Sequence, residues 1–256
     1  MNQPELGNKI AGIRKEKGFT QQEVADKSGI NIRTIQRIES GEVTPRTYTI
    51  RQFLHALDLT YEQVFDQETD KSSGLLKAAW IHGIIYFILG FPEVYLGGML
   101  MEGGLTPSQS ILFLVIKIQA TISYIFFIHG FTIIGKINHL PLLTIASKFL
   151  MIFAAAFALF ESLAVFEIVP IEGVMFSESI SFGIVGILFG IALFRSEKIT
   201  GRLGILAGIL EVTAAMTFLT FVLAFIGLFI LAPAEILEIL ILYFAATKSR
   251  KIEFAT

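Results

Sequence analysis

The sequence predicts an all-α protein with two dissimilar parts, a five-helix N-terminal domain followed by a six-helix transmembrane bundle. Of its 256 residues 54 % are hydrophobic and only 16 % are charged, whereas an ordinary globular domain has about 25 % charged residues. Of the 20 Lys and Arg residues 10 lie before Ser72, and so do 11 of the 22 Asp and Glu residues. The rest of the chain consists of long apolar runs, which favour membrane-spanning helices.

Several classes of site are absent from the sequence. It contains no cysteine, so disulfides and thiolate metal ligands are excluded. No glycine-rich phosphate loop, nucleophile elbow or paired-acid catalytic pattern occurs. The first residues lack the charged segment and apolar core of a secretory signal peptide. We therefore expect a cytoplasmic N-terminal domain, no enzymatic activity, no cofactor and no metal site.

Apolar spacing and capping residues mark the first two helices. Leu6, Ile10 and Ile13 recur at helical spacing and predict a first helix that ends near Gly18. In TQQEVADKSG, residues 20–29, Thr and Glu stand three residues apart, as in a capping box, and a glycine closes the segment. This pattern predicts a second helix that buries its Val and Ala.

A third helix follows Asn31, which is a good N-cap. Ile35 and Ile38 share its inward face. Its outward face carries Arg33, Thr34, Gln36 and Arg37. Two short helices joined by a turn containing Gly form a helix-turn-helix unit, whose second helix fits the major groove of DNA. Arg and Gln are the residue types that bond to guanine and adenine edges.

Two further helices are predicted in TPRTYTIRQFLHALDLTYEQVF, residues 44–65. The fourth has an apolar stripe made of Ile50, Phe53, Leu54 and Leu57. The fifth is expected to bury Val64 and Phe65.

Over residues 5–66, the segments FTQQEVADKSGI, TIQRIESGEVTPR and ALDLTYEQVF resemble the phage repressor and Cro type of domain, the XRE family. The resemblance implies a five-helix fold that binds double-stranded operator DNA, usually as a homodimer on two half-sites. It also implies that Gln21 touches backbone phosphate and that Ile32, Arg33 and Arg37 face base edges. The candidate DNA-binding residues are Gln21, Asn31, Ile32, Arg33, Thr34, Gln36, Arg37 and Arg46.

One position departs from the family pattern. After Ser40 and Gly41 the family commonly has Lys or Arg for a phosphate, and this sequence has Glu42. Residues 1–53 hold nine Lys and Arg against six Asp and Glu, whereas residues 54–70 hold five acids and no base. We expect a modest attraction to DNA. The alternative is that these helices bind a protein partner.

Six apolar stretches, each near the 20 residues needed to cross a bilayer, follow a polar linker at 67–75. We place them at 76–101, 109–135, 141–168, 174–195, 202–228 and 231–247. The clearest is the uncharged run Val212–Ala234; the first contains Pro92. The transmembrane domain thus covers 76–247, and a basic tail follows at 248–256.

The charges of the loops predict the orientation of these spans. The loops near 136–139 and 195–202 and the tail at 248–251 carry Lys and Arg, whereas the loops near 102 and 167–172 carry Glu without Lys or Arg. Positive charge marks the cytoplasmic side. We therefore expect a multi-pass protein of the cell inner (cytoplasmic) membrane with both termini in the cytoplasm.

Ionisable side chains inside the spans predict a binding site, because each costs about 2.5 to 3.5 kcal/mol at the centre of a membrane helix. A rise of about 1.5 Å per residue places one set in the outer half. This set is Glu93, Lys117, Glu161, Glu178, Glu235 and Glu238. Five carboxylates cannot all pair with one lysine, so some must be protonated, hydrated or bound to a cation. We predict an outward-opening pocket for a cationic or amphipathic small molecule or a divalent ion. The alternative is that several of these glutamates lie at the water interface.

A second set, His82, His129, Lys148 and Glu211, falls in the inner half or near the midplane. We expect an ion pair between Lys148 and Glu211, and hydrogen-bonded packing roles for the two histidines. Glycines at 183, 186 and 190, and at 204 and 208, have the spacing that permits close helix contact. This contact would lie either within one bundle or at a dimer seam.

Together these features indicate a membrane-embedded transcriptional regulator whose bundle responds to a ligand or membrane signal. The first alternative is a transporter or membrane enzyme, proton-coupled or metal-dependent, with an autoregulatory DNA-binding domain. The second is a bundle that serves only as an anchor.

Overall fold

The computed structural model describes residues 3–251, and every regular element in that range is a helix. Side chains at 62, 65–71 and 248–251 are outside this description. The chain divides into two compact units, Met1–Lys71 and Ser72–Thr256. The prediction of an all-α protein is confirmed.

The N-terminal unit contains five helical segments. They are α1 (Glu5–Glu16), α2 (Gln21–Ser28), α3 (Ile32–Glu39), α4 (Thr47–His55) and the beginning of α5 (Tyr61–Glu102). Residues 67–75, which we expected to form a linker, are part of α5.

Local hydrogen bonds explain where α2 and α3 begin. The Thr20 hydroxyl accepts a bond from the Glu23 amide, and the Glu23 carboxylate accepts one from the Thr20 amide at 2.7 Å. Gly29 closes α2 in the left-handed conformation, with φ of 70°. The Asn31 side chain then accepts a bond from the Arg33 amide at 2.9 Å and begins α3. The capping signals in the sequence therefore predicted these ends correctly.

The core of the N-terminal unit is formed by the apolar stripes of its helices. Ile10, Val24, Ile35, Phe53 and Leu54 are all almost completely buried in it. Val64 packs against this core from α5, whereas the Phe65 side chain lies outside the described residues. Burial of Ile35 and Ile38 fixes the rotation of α3, so its polar face points away from the core.

The second unit contains the rest of α5 and six further helices. These are α6 (Pro107–Ile137), α7 (Pro141–Val165), α8 (Ile171–Arg195), α9 (Glu197–Thr200), α10 (Arg202–Leu219) and α11 (Ala224–Lys251). Six helical segments are long and apolar enough to cross a membrane. They are Ser72–Glu102, α6, α7, α8, α10 and Ala224–Thr247. The predicted number of spans is confirmed within the described residues.

The predicted boundary between the last two spans is wrong. We expected spans at 202–228 and 231–247, but α10 ends at Leu219 and α11 begins at Ala224. The turn between them contains Phe221, Val222 and Leu223, so hydropathy shows no polar gap there. Pro92 lies inside α5 and does not end it.

Glycines bring α8 and α10 into close contact within one bundle. A Cβ atom added to Gly208 would lie 2.5 Å from the Gly190 carbonyl oxygen and 2.7 Å from the Phe194 amide nitrogen. A Cβ atom added to Gly190 would lie 2.8 Å from the Gly208 carbonyl oxygen. At these two positions, small residues therefore serve packing inside the bundle.

We expect Gly208→Ala to destabilise the membrane unit by about 1 to 3 kcal/mol, because the added methyl group meets backbone atoms of α8 that cannot move aside. Unfolding of the detergent-solubilised chain by dodecyl sulfate would measure this change. Gly173→Ala is the matched control, since the nearest atom to its new methyl group is Pro170 Cγ at 3.8 Å. Equal stability of the two variants would contradict the close contact.

Candidate DNA-binding surface and membrane cavity

The outward face of α3 forms an exposed polar surface. Arg33, Thr34, Gln36 and Arg37 are all exposed, while the isoleucines on the other side of the helix are buried. Arg46, the residue before α4, is exposed as well. We refer to these five residues as the α3 surface.

The three other predicted DNA-binding residues are already engaged within the unit. Gln21 is half-buried, and its side-chain amide donates to Glu39 Oε2 at 2.8 Å. The Asn31 side-chain oxygen caps α3. Ile32 is half-buried and packs against the core. Ile32 therefore presents only part of its side chain to a partner, because the rest is needed for packing.

A buried ion pair, which we did not predict from the sequence, connects α1 to α3. Arg14 Nε lies 2.7 Å from Glu39 Oε1, and a second guanidinium nitrogen lies 2.9 Å from Glu39 Oε2. The Arg14 guanidinium also donates to the Phe19 carbonyl oxygen at 2.7 Å. The signal was present, since Arg14 continues the inward stripe of Ile10 at helical spacing, and a charge on an inward face needs a partner.

This pair changes the ionisation of Glu39. Burial alone would raise the pKa of its carboxyl group, but hydrogen bonds from Arg14 and Gln21 and the charge of Arg14 outweigh burial and lower the pKa below its ordinary value. The same contacts raise the pKa of Arg14. Glu39 thus holds both Arg14 and Gln21, and Gln21 is the predicted phosphate contact at the start of α2.

Glu42, the position that departs from the family pattern, faces the α3 surface. Its Oε2 atom lies 3.4 Å from Arg37 Nε, and its Oε1 atom accepts a hydrogen bond from the Ser40 hydroxyl at 3.1 Å. Both charged side chains are more than half exposed, so the pair is worth about 0 to 1 kcal/mol. Arg37 can therefore exchange Glu42 for another partner at little cost.

In the membrane unit, helices α5, α6, α7, α8, α10 and α11 line one cavity of about 480 Å³. All six side chains of the predicted ligand set lie in its wall, namely Glu93, Lys117, Glu161, Glu178, Glu235 and Glu238. Aromatic residues line much of the remainder, including Tyr86, Tyr124, Phe182, Phe218 and Phe225. The structure thus brings together residues that lie up to 145 positions apart in the sequence (238 − 93 = 145).

Lys117 is the centre of one charged group in this wall. Its Nζ atom lies 2.8 Å from Glu93 Oε1 and 2.7 Å from Glu161 Oε2. The three side chains come from α5, α6 and α7, and Lys117 is 9 % exposed. Such burial is tolerable only because the ammonium group meets two carboxylates.

A second group of carboxyl side chains has no cation beside it among the described residues that line the cavity. Glu211 on α10 and Glu235 and Glu238 on α11 line the same cavity. Glu238 is 3 % exposed, and its Oε1 atom has no hydrogen-bond partner. The predicted ion pair between Lys148 and Glu211 is wrong, because Lys148 is exposed on α7 whereas Glu211 is buried at the cavity.

Two histidines, His82 on α5 and His129 on α6, lie within the spans. His82 Nδ1 lies 3.3 Å from the Ser123 hydroxyl, and its ring stacks on Phe126 at a centroid distance of 4.6 Å. These contacts are those of a packing residue. His129 is half-buried on α6. Among the side chains that the structure describes, no three His, Cys, Asp or Glu residues are grouped so that they could hold a metal ion.

Comparison with known proteins identifies the N-terminal unit. A helix-turn-helix family profile matches residues 10–64. An uncharacterized HTH-type transcriptional regulator of Sinorhizobium fredii, y4dJ, is 30 % identical over 59 residues, which are 23 % of this chain and 77 % of that protein. The chain belongs to the helix-turn-helix family. No solved structure matches it.

Membership of the helix-turn-helix family supports a DNA-binding transcriptional regulator and suggests a non-enzyme. It confirms the XRE-type resemblance found in the sequence. The family match ends at residue 64, whereas the apolar spans begin at Ser72. In this helix-turn-helix protein, the family match therefore does not extend to the membrane unit.

We expect Glu39→Ala to destabilise the helix-turn-helix unit by about 3 kcal/mol, because Arg14 would remain buried without its counter-charge. Urea unfolding of the fragment 1–71, which contains the complete core described above, would measure this loss. Glu16→Ala, which removes an exposed carboxylate from α1, should change stability by less than about 0.5 kcal/mol.

The same fragment should also show a pH dependence. A carboxyl group with a lowered folded pKa stabilises the fold above its unfolded pKa of about 4.3, and this contribution disappears as the pH falls through the folded pKa. The stability difference between wild type and Glu39→Ala should therefore shrink below about pH 4. A difference that stayed constant from pH 7 to pH 3 would contradict the assignment.

Proposed function

We propose that this protein is a membrane-embedded transcriptional regulator that binds operator DNA as a homodimer and responds to a ligand in its membrane unit. The observation that carries the proposal is the combination, in one chain, of the exposed α3 surface and a charged cavity among apolar spans. The proposed domains are 1–66 for DNA binding and 76–247 for the membrane.

The α3 surface supports the DNA-binding part. Its arginines can form paired bonds to guanine, and Gln36 has the amide that matches adenine. The N-terminus of α2, with Gln21 held by Glu39, is suited to a phosphate because backbone amides there carry partial positive charge. Two copies would read two half-sites, and tethering both in one membrane would raise their effective concentration.

The cavity supports the sensory part. Six carboxylates and a lysine at membrane depth cost free energy, and functional sites are where such groups are retained. A ligand acts as a signal only if it binds one state of the bundle better than another, and a tenfold difference in affinity shifts the balance by about 1.4 kcal/mol. The loop charges favour cytoplasmic termini, so the α3 surface would face the DNA.

A second candidate function is proton-coupled transport with autoregulation by the DNA-binding domain. The excess of carboxylates over lysine in the cavity favours it, since such groups can carry protons through membranes. Uptake into proteoliposomes that is abolished by Glu93→Gln and Glu161→Gln would favour the transporter over the sensor.

For DNA binding, we expect Arg33→Ala and Arg37→Ala to weaken binding to the operator by about 1 to 3 kcal/mol each, because each would remove a paired bond to a base. Gln21→Ala should weaken binding to all sequences alike. Gel shifts with a tandem dimer of fragment 1–71, on the upstream region of its own gene and on random DNA, would separate these effects.

Arg33→Lys is the matched variant for this experiment, since it keeps the charge but loses the paired geometry. It should bind random DNA like the wild type and the operator more weakly. Equal losses on both DNAs for Arg33→Ala would refute a base-reading role.

For sensing, we expect the double variant Glu93→Gln and Glu161→Gln to change the output of a reporter driven by the target promoter, because Lys117 would lose both counter-charges and the cavity would rearrange. The reporter should be read in cells that carry the full chain. Glu102→Gln, at the exposed end of α5, is the control and should leave the output unchanged. An unchanged output from the double variant, with normal amounts of protein in the membrane, would indicate an inert anchor.

A further inference from the structure

We infer that the cavity binds an organic ammonium ion, an amine with N–H groups on an apolar aromatic body, and that Glu211, Glu235 and Glu238 receive its charged end. We call these three residues the acidic pole. The inference rests on the proposed function, for which it names the class of ligand.

The charges of the cavity leave room for a cation. Its wall includes six glutamates and one lysine, and Lys117 is already held between Glu93 and Glu161. The acidic pole lies on α10 and α11, whereas the Lys117 group lies on α5, α6 and α7. In an apolar bundle, charged carboxylates without a counter-ion are costly, so the acidic pole needs either protons or a bound cation.

Glu238 supplies the most specific evidence. Its side chain is 97 % buried (100 − 3 = 97), it lines the cavity, and its Oε1 atom lacks a hydrogen-bond partner. A buried acceptor of this kind costs about 1 to 3 kcal/mol, and more when charged, until a donor reaches it. A ligand that brings an N–H group to this atom recovers that free energy.

The neighbours of Glu238 indicate how many donors are needed. Glu235 is three residues away on α11 and therefore shares its face of the helix. Glu211 comes from α10, which packs against α11, and it lines the same cavity. The acidic pole therefore places carboxyl groups from two helices in the wall of one cavity.

The grouping of acidic side chains favours an ammonium group over a metal ion. A divalent metal needs oxygens within about 2.0 to 2.6 Å of its centre. Among the residues that the structure describes, no three acidic or histidine side chains are close enough together for that. A primary ammonium has three N–H donors that reach acceptors about 2.7 to 2.9 Å from the nitrogen, so it can satisfy more widely spaced oxygens.

The other walls suit an apolar aromatic body. Phe182, Phe218 and Phe225, with Tyr86 and Tyr124, line the cavity beside the glutamates. A volume of about 480 Å³ falls within the range of about 300 to 1,000 Å³ that holds drug-sized molecules. Aromatic faces also attract cations, which adds to the preference for an ammonium over a neutral ligand.

Three probes with one apolar body test the inference on the full chain in lipid nanodiscs. They are 4-phenylbenzylamine, the neutral 4-phenylbenzyl alcohol, and 4-phenylbenzyltrimethylammonium, which is a cation without N–H groups. Calorimetric titration, corrected with empty nanodiscs, should show saturable binding of the amine at least tenfold tighter than that of either relative. Equal binding of all three probes would overturn the inference, and so would saturable binding of Zn²⁺ or Mn²⁺ that the amine displaces.

Two variants locate the charged end of the probe. Glu238→Gln should weaken amine binding at least tenfold and leave alcohol binding unchanged, because the amide cannot supply the negative charge. Glu235→Gln is the second variant, and its amine affinity should fall in the same way if Glu238→Gln does not fold. Glu197→Gln, exposed on α9 and outside the cavity wall, is the control. Amine affinity that is the same in both variants as in wild type would overturn the assignment of the acidic pole.

These outcomes are separable from those of the proposed function. Titration uses no DNA. Equal binding of the three probes would therefore refute an amine as the class of ligand, whereas the reporter and gel-shift results would be unaffected. Conversely, selective amine binding with an unresponsive promoter would support the inference and refute the sensory role of the membrane unit.

Discussion

The Lys117 ammonium held between Glu93 and Glu161 is the interaction on which the membrane unit depends. Each group alone would cost about 2.5 to 3.5 kcal/mol at the centre of a membrane helix, and the pairing of all three offsets part of that cost. Since they come from α5, α6 and α7, their meeting fixes the relative rotation of three spans. That rotation turns polar side chains towards the cavity and leaves apolar side chains such as Ile111, Val115 and Ile118 of α6 on the outside of the unit.

The N-terminal unit uses the same physical device on a smaller scale. Arg14, Glu39 and Gln21 form a polar group among apolar helices, and removal of Arg14 or Glu39 leaves the other charge unpaired. Because Glu39 ends α3 and Gln21 begins α2, the group fixes the two helices that form the helix-turn-helix unit. In both units, paired charges thus set the orientation of the helices that present the candidate site.

Local signals in the sequence were sufficient for much of the fold. Thr20, Glu23, Gly29 and Asn31 predicted helix ends because capping depends on residues within one turn of each other. Hydropathy predicted six spans because the preference of a helix for lipid is a sum over its own consecutive residues. It failed at residues 220–223, where an apolar turn interrupts an apolar run. The depth of each residue along its span also predicted which side chains lie near one another, because side chains at the same depth can line one cavity. This applies to all six residues of the predicted ligand set.

The sequence by itself determined that the chain is helical, that a helix-turn-helix domain precedes six spans, and that charged side chains are placed at membrane depth. Only the tertiary structure decided which charges pair. It placed Glu211 with Glu235 and Glu238 in the wall of the cavity, and not beside Lys148. It also paired Arg14 with Glu39, which lies 25 residues away in the sequence. The physical reason is that pairing depends on the rotation of each helix about its axis and on which helices are neighbours. Both are set by the packing of all the helices together, as at Gly190 and Gly208, and no local segment contains that information.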